Sequence, residues 1–160
     1  MAQDEKDRME TDAEGKQIAT DFFKHFGYVV TATTEPMNRL DGLFNTEIGI
    51  CGLEVKNMSV ERYTKYDDIL IAADKYEYST TNGRQASGLV TTFKFDYVKT
   101  DCGIICLITN FDKCKGLAPL PLPLPTGNYK DAPKKWQLVY QVPRQEAHKW
   151  LITNDKIERL

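Results

Sequence analysis

Two stretches, Leu40-Asp41-Gly42 and Gly52-Leu53-Glu54-Val55-Lys56, decide how the rest of this chain is read. Side chains alternate across a β-strand, so Glu54 and Lys56 project from one face while Leu53 and Val55 project from the other. With Asp41 on a neighbouring strand, two carboxylates and an ammonium gather at one end of a sheet. Such a set can hold a hard divalent cation beside a phosphate. Mg²⁺ takes oxygen ligands and keeps part of its water, so two or three carboxylates and a backbone carbonyl suffice. The carbonyl of Val55, between the two active side chains, is the natural choice. Phosphodiester hydrolysis needs an activated water, neutralised phosphorane charge and relief at the leaving oxygen, and a bound Mg²⁺ assists all three. Lys56 would orient the attacking water or stabilise phosphate charge. A lone Glu-x-Lys commonly marks a solvated strand face; here the apolar alternation and the preceding Asp41 favour a site.

Working outward, residues 12 to 26 read as a helix capped by Asp12, with Ile18, Ala19, Phe22, Phe23 and Phe26 on one stripe. Gly27 is the expected stop. Tyr28 to Thr33 reads as a β-rich run, followed by a turn around Pro36. Arg39 to Phe44 and Ile48 to Met58 read as neighbouring strands. Ser59 opens a second helix, with Tyr63, Tyr66, Leu70 and Ala73 on one side, ending near Tyr78. Leu89 to Val98 and Gly103 to Phe111 read as two further strands joined by a tight turn. From Pro119 to Pro125 every second residue is proline, which excludes a helix and predicts an extended, polyproline-like connector. The sharper alternative is a docking motif for another protein. Trp136 to Tyr140 reads as a strand, and a last helix is expected from about Pro143.

This order, with Asp41 as D and Glu54-Val55-Lys56 as (D/E)XK, resembles the PD-(D/E)XK nuclease superfamily. The resemblance spans roughly residues 12 to 98 and rests on those short motifs. It implies an α/β, restriction-endonuclease-like fold: a mixed central sheet flanked by helices. It also implies a Mg²⁺-dependent DNA endonuclease, with Mn²⁺ as substitute, that uses Asp41, Glu54 and Lys56. Glu14-Gly15-Lys16 through Phe26-Gly27-Tyr28 is similar to the start of archaeal-type Holliday-junction resolvases, which adds Glu14 as a catalytic and metal-ligating candidate. The plain reading of Glu14 is a first-turn acid favoured by the helix dipole.

There are departures. Leu40 replaces the proline that precedes the family's aspartate, and Lys65-Tyr66-Asp67-Asp68 replaces the glutamine-then-tyrosine signature of one exonuclease branch. What remains are resolvase-like enzymes, acting on branched recombination or repair intermediates, and restriction-type endonucleases. The alternative is a non-catalytic nuclease-fold module that binds DNA or a protein. Expected DNA-backbone contacts are Lys16, Asn57, Arg62, Lys65, Arg84 and Lys94. A resolvase needs two active sites, hence a symmetric homodimer.

The chain of 160 residues suits one domain. It divides into a mobile acidic segment (1–11), a nuclease-like core (12–116), the proline-rich connector (117–135), and a C-terminal strand and helix (136–160) packing on the same domain. The net charge of −2 does not argue for nucleic acid, but its distribution removes the objection. Residues 1 to 12 are net −3, and from Leu117 onward the chain is net +3. No apolar run approaches the ~20 residues that cross a bilayer. The start, Met-Ala-Gln-Asp-Glu-Lys-Asp, lacks the basic flank and apolar core of a signal peptide. A cytoplasmic protein is expected, in the host cytoplasm if virus-encoded. Cys51, Cys102, Cys106 and Cys114 form no Cys-x-x-Cys pair, and buried free thiols are expected over an iron–sulfur cluster.

Overall fold

The computed structural model describes residues 3–33, 40–81, 84–85, 88–126, 131–154 and 156–160. The first helix, α1 (Gln3–His25), places Ala19, Phe22 and Phe23 in the core. It begins at Gln3 rather than Asp12, so the acidic segment supplies its first turns and Asp12 is an interior residue instead of the cap. Gly27 ends it as expected, at φ +88° and with its N–H on the Lys24 carbonyl. The run Tyr28 to Thr33 makes one bridge, Thr31 to Leu43, in place of a strand. The turn expected around Pro36 lies outside the described residues.

β1 (Gly42–Thr46) and β2 (Gly49–Asn57) pair antiparallel, with Gly42 opposite Leu53. The long second helix is replaced by α2 (Val60–Lys65), β3 (Asp68–Ala72) and α3 (Ala73–Thr80). Ser59 does cap α2, accepting the Arg62 N–H at 3.0 Å. The break comes from Ile69-Leu70-Ile71: two β-branched residues alternate with one neighbour, and Ile69 and Ile71 bury the same strand face.

β4 (Leu89–Thr100) then runs parallel to β2, and β5 (Gly103–Asn110) returns antiparallel beside it. The proline-rich run is a strand, β6 (Leu120–Pro125), paired with β7 (Lys134–Pro143). Only its leucines carry the N–H that a ladder needs, so these serve β7 and the prolines leave an outer edge without donors. The C-terminal helix is also overturned. Arg144–Glu146 is a single 3₁₀ turn, and β8 (His148–Ile152) and β9 (Ile157–Arg159) follow. Alternation decides it: Trp150 and Ile152 join the α1 core, as strand residues two apart do.

The strands form a six-stranded mixed sheet in the order β1-β2-β4-β5-β8-β9 and a three-stranded sheet, β3-β7-β6. Residue parity divides the larger sheet. Leu53, Phe95, Tyr97 and Cys106 face α1, whereas Val98 and Leu107 face Ile69, Ile71 and Val142 of the smaller sheet. One flank is therefore a long helix; the other is a small sheet with two short helices, where the sequence pointed to a helix. Among the described residues, no helix is long and apolar enough to cross a membrane.

Candidate functional site

Strand parity and register together build a charged patch. Glu54 and Lys56 lie on the face of β2 away from α1, and the parallel register sets Lys94 beside Glu54 and Asp96 beside Lys56. Lys94 Nζ lies 3.1 Å from Asp96 Oδ1 and also donates to the Leu70 carbonyl of β3. From α3, Lys75 brings its Nζ to 3.7 Å from Glu54 Oε2. These groups floor a cleft of about 470 Å³, closed in by β3, α2, α3 and the neighbouring ends of β6 and β7.

Two carboxylate oxygens on this floor, Glu54 Oε2 and Asp96 Oδ2, are buried without a hydrogen-bond donor. Burial, reinforced by the charge of Asp41, pushes Glu54 up to about 7, against the opposing pull of Lys75, Lys94 and Lys56. Burial also raises Asp96, with Lys94 opposing it. A carboxyl that titrates near neutrality in a cleft is a recurrent mark of a functional site.

Asp41 sits just before β1 and extends the ladder to β2. Its N–H donates to the Leu53 carbonyl at 2.8 Å, and its Oδ2 accepts the Val55 N–H at 2.7 Å. The aspartate thus clasps the backbone between Glu54 and Lys56. Its Oδ1 lies 3.9 Å from Lys16 Nζ of α1. Asp41 is not part of the cleft lining, although its charge is felt at Glu54. Glu14 is not gathered with these groups: it pairs with Lys99 near the end of β4. Among the described residues, no three histidines, cysteines or carboxylates come together as a cation cage.

The oxygen set nevertheless fits a hard ion that keeps much of its water. Glu54 Oε2 is buried without a donor, and Asp41 Oδ1 lies 3.9 Å from the Lys16 ammonium. Asp41, Glu54 and the Val55 carbonyl are the residues that would hold it.

The expected DNA contacts separate in space. Asn57 and Arg62 line the cleft, and the Arg62 guanidinium is paired with Asp68 and lies 4.3 Å from the Tyr66 ring centroid. Lys65 is tied to Glu61 at 2.8 Å on the exposed side of α2, and Arg84 is exposed outside the cleft lining. Lys16 stays at Asp41. Lys94 is on the cleft floor, with only 12% of its side chain exposed and its ammonium beside Asp96.

Asp96 and Lys75 were missed. Asp96 had a signal, since Phe93-Lys94-Phe95-Asp96-Tyr97 alternates as plainly as the Glu54 strand does. Lys75 had none, because its approach depends on how α3 is placed. The thiols are dispersed: Cys51 and Cys106 are in the α1 core, Cys114 is in the other core, and Cys102 is an exposed turn residue. Comparison with protein-family models, curated proteins and solved structures found no match to this chain.

Proposed function

We propose that the chain is a metal-dependent nuclease with a restriction-endonuclease-like core, hydrolysing DNA phosphodiester bonds at Asp41, Glu54 and Lys56. The observation that carries this reading is the Asp41–Val55 hydrogen bond, 2.7 Å long, which locks the aspartate to the Glu-x-Lys strand at its centre. Water adds its oxygen to phosphorus, the P–O ester bond breaks, and the leaving oxygen takes a proton. A bound Mg²⁺ would supply charge neutralisation and an acidified water. The chain's own part is to hold the acceptors in place. Asp41 is fixed by backbone, Glu54 is kept close to its lysines, and exposed Lys56 sits at the cleft to neutralise the phosphate.

A second reading, a binding module without catalysis, is favoured by one observation: Asp41 lies outside the cleft lining that includes Glu54 and Lys56. Incubation of labelled DNA with purified protein in Mg²⁺, Mn²⁺, Ca²⁺ or chelator separates the two. The nuclease reading expects cleavage in Mg²⁺ and Mn²⁺, little in Ca²⁺ and none in chelator. DNA binding without cleavage in any cation supports the module instead.

A further inference from the structure

The cleft above Glu54 restricts what can reach it. Its volume of about 470 Å³ is in the range of clefts that take a small molecule or a single nucleotide-sized group. One wall is β2 and β4; facing it are Leu124, Pro125 and Thr126 of the β6 end, with Gln137 and Val139 of β7. Only 21% of the Glu54 side chain is exposed, so a phosphate that reaches it comes into the cleft. A duplex holds its bases stacked and paired, and enzymes that act inside such pockets need a nucleotide taken out of the stack or a strand already single. Grooves that take single strands combine positive charge along the backbone with surfaces that receive a base.

This cleft offers an apolar wall and four bases, Lys56, Arg62, Lys75 and Lys94, matched by four acids, Glu54, Asp68, Asp74 and Asp96. Lys56 and Arg62 supply charge, and Arg62 is held in place by Asp68 and Tyr66. Leu124 and Val139 supply apolar wall, and the Gln137 amide offers a donor and an acceptor for a base edge.

We infer that the substrate segment is unpaired DNA, meaning a single strand, a flap or a frayed end, and that the cleft excludes intact duplex. The chemistry rests on the nuclease reading; the binding preference does not. The test uses the full chain and three labelled DNAs of matched length: a single strand, a blunt duplex, and a duplex with a single-stranded flap. Anisotropy titrations in Ca²⁺ measure binding, and parallel reactions in Mg²⁺ measure cleavage. The single strand and the flap should bind at least ~10-fold tighter than the blunt duplex, because a duplex must first unpair and unstack a nucleotide to fill the cleft. Gln137→Trp, which fills the cleft, and Thr126→Trp at its exposed rim should each remove that preference in protein that still melts like the parent. Equal or tighter binding of blunt duplex overturns the inference. So does an absence of binding to all three DNAs, or an unchanged preference in whichever variant folds. A single-strand preference without cleavage upholds the inference while ending the nuclease reading.

Discussion

Glu54 carries its charge at a cost that depends on pH. Its carboxyl is raised from 4.5 to about 7, chiefly by burial and next by Asp41, so the folded chain holds a proton that the unfolded chain has released. The stability from that proton is fully present below about 4.5 and lost as the pH rises through about 7. A shift of this size corresponds to ~3 kcal/mol. Urea unfolding of the parent and Glu54→Gln across pH 4.5 to 8 should show the parent losing roughly that much relative to the variant; parallel curves would mean that Glu54 is not perturbed. Activity should move the other way. A carboxylate must be ionised to bind a cation, so the rate of Mg²⁺-dependent cleavage should climb through about pH 7 in the parent. A flat rate from pH 6 to 8 would remove Glu54 as a ligand. At Asp41 the concern is geometry: Asp41→Ala strips the acceptor from the Val55 N–H, 2.7 Å away, and should cost ~1–3 kcal/mol. Asp41→Asn retains a carbonyl oxygen and should recover most of that stability without recovering cleavage. Thermal melts and a cleavage assay on the two variants decide it.

Among the elements, α1 offers the clearest test of packing against propensity. Gly15 lies within it, and replacing an interior helical glycine by alanine ordinarily stabilises by ~1 kcal/mol. Here a Cβ would meet Tyr97 Cε1 at 2.9 Å and Val55 Cγ1 at 3.2 Å. The Tyr97 ring is buried on the sheet and has little room to yield. Gly15→Ala should therefore destabilise by ~1–3 kcal/mol, seen as a lower melting temperature; a higher one would show that α1 stands off the sheet. Elements governed by local pattern were legible. Ile18, Ala19, Phe22 and Phe23 marked α1, Gly27 marked its stop, and the alternation from Leu89 onward marked β4. Elements governed by their partners were not. The prolines of β6 read as a free connector because nothing local tells that Leu120, Leu122 and Leu124 will find Val139, Gln137 and Lys135. Ile69 and Ile71 fall inside the helix expected from Tyr63, Tyr66, Leu70 and Ala73, because a five-residue strand leaves little periodicity of its own.

At the scale of the whole molecule, two sheets create the site. The six-stranded sheet sets Glu54, Lys56, Lys94 and Asp96 on one face, and the smaller sheet closes over them. The acidic and basic residues of β2 were legible because a Glu-x-Lys on alternating apolar positions declares its face. The cleft was not legible: its far wall comes from Leu124, Pro125, Thr126, Gln137 and Val139, far along the chain and brought to β3 by sheet pairing. Lys75 came into view only with that closure and Asp96 with the register of β4 on β2, while Glu14 lies apart because its helix covers the opposite face. Glu54 and Lys56 either perform chemistry or do not. The most direct measurement is the Mg²⁺-dependent cleavage rate of Glu54→Ala and Lys56→Ala at saturating DNA, alongside their melting temperatures and DNA affinities. Both variants should fold and bind DNA much as the parent does and cleave at least ~100-fold more slowly. Parental cleavage rates in both would contradict the site.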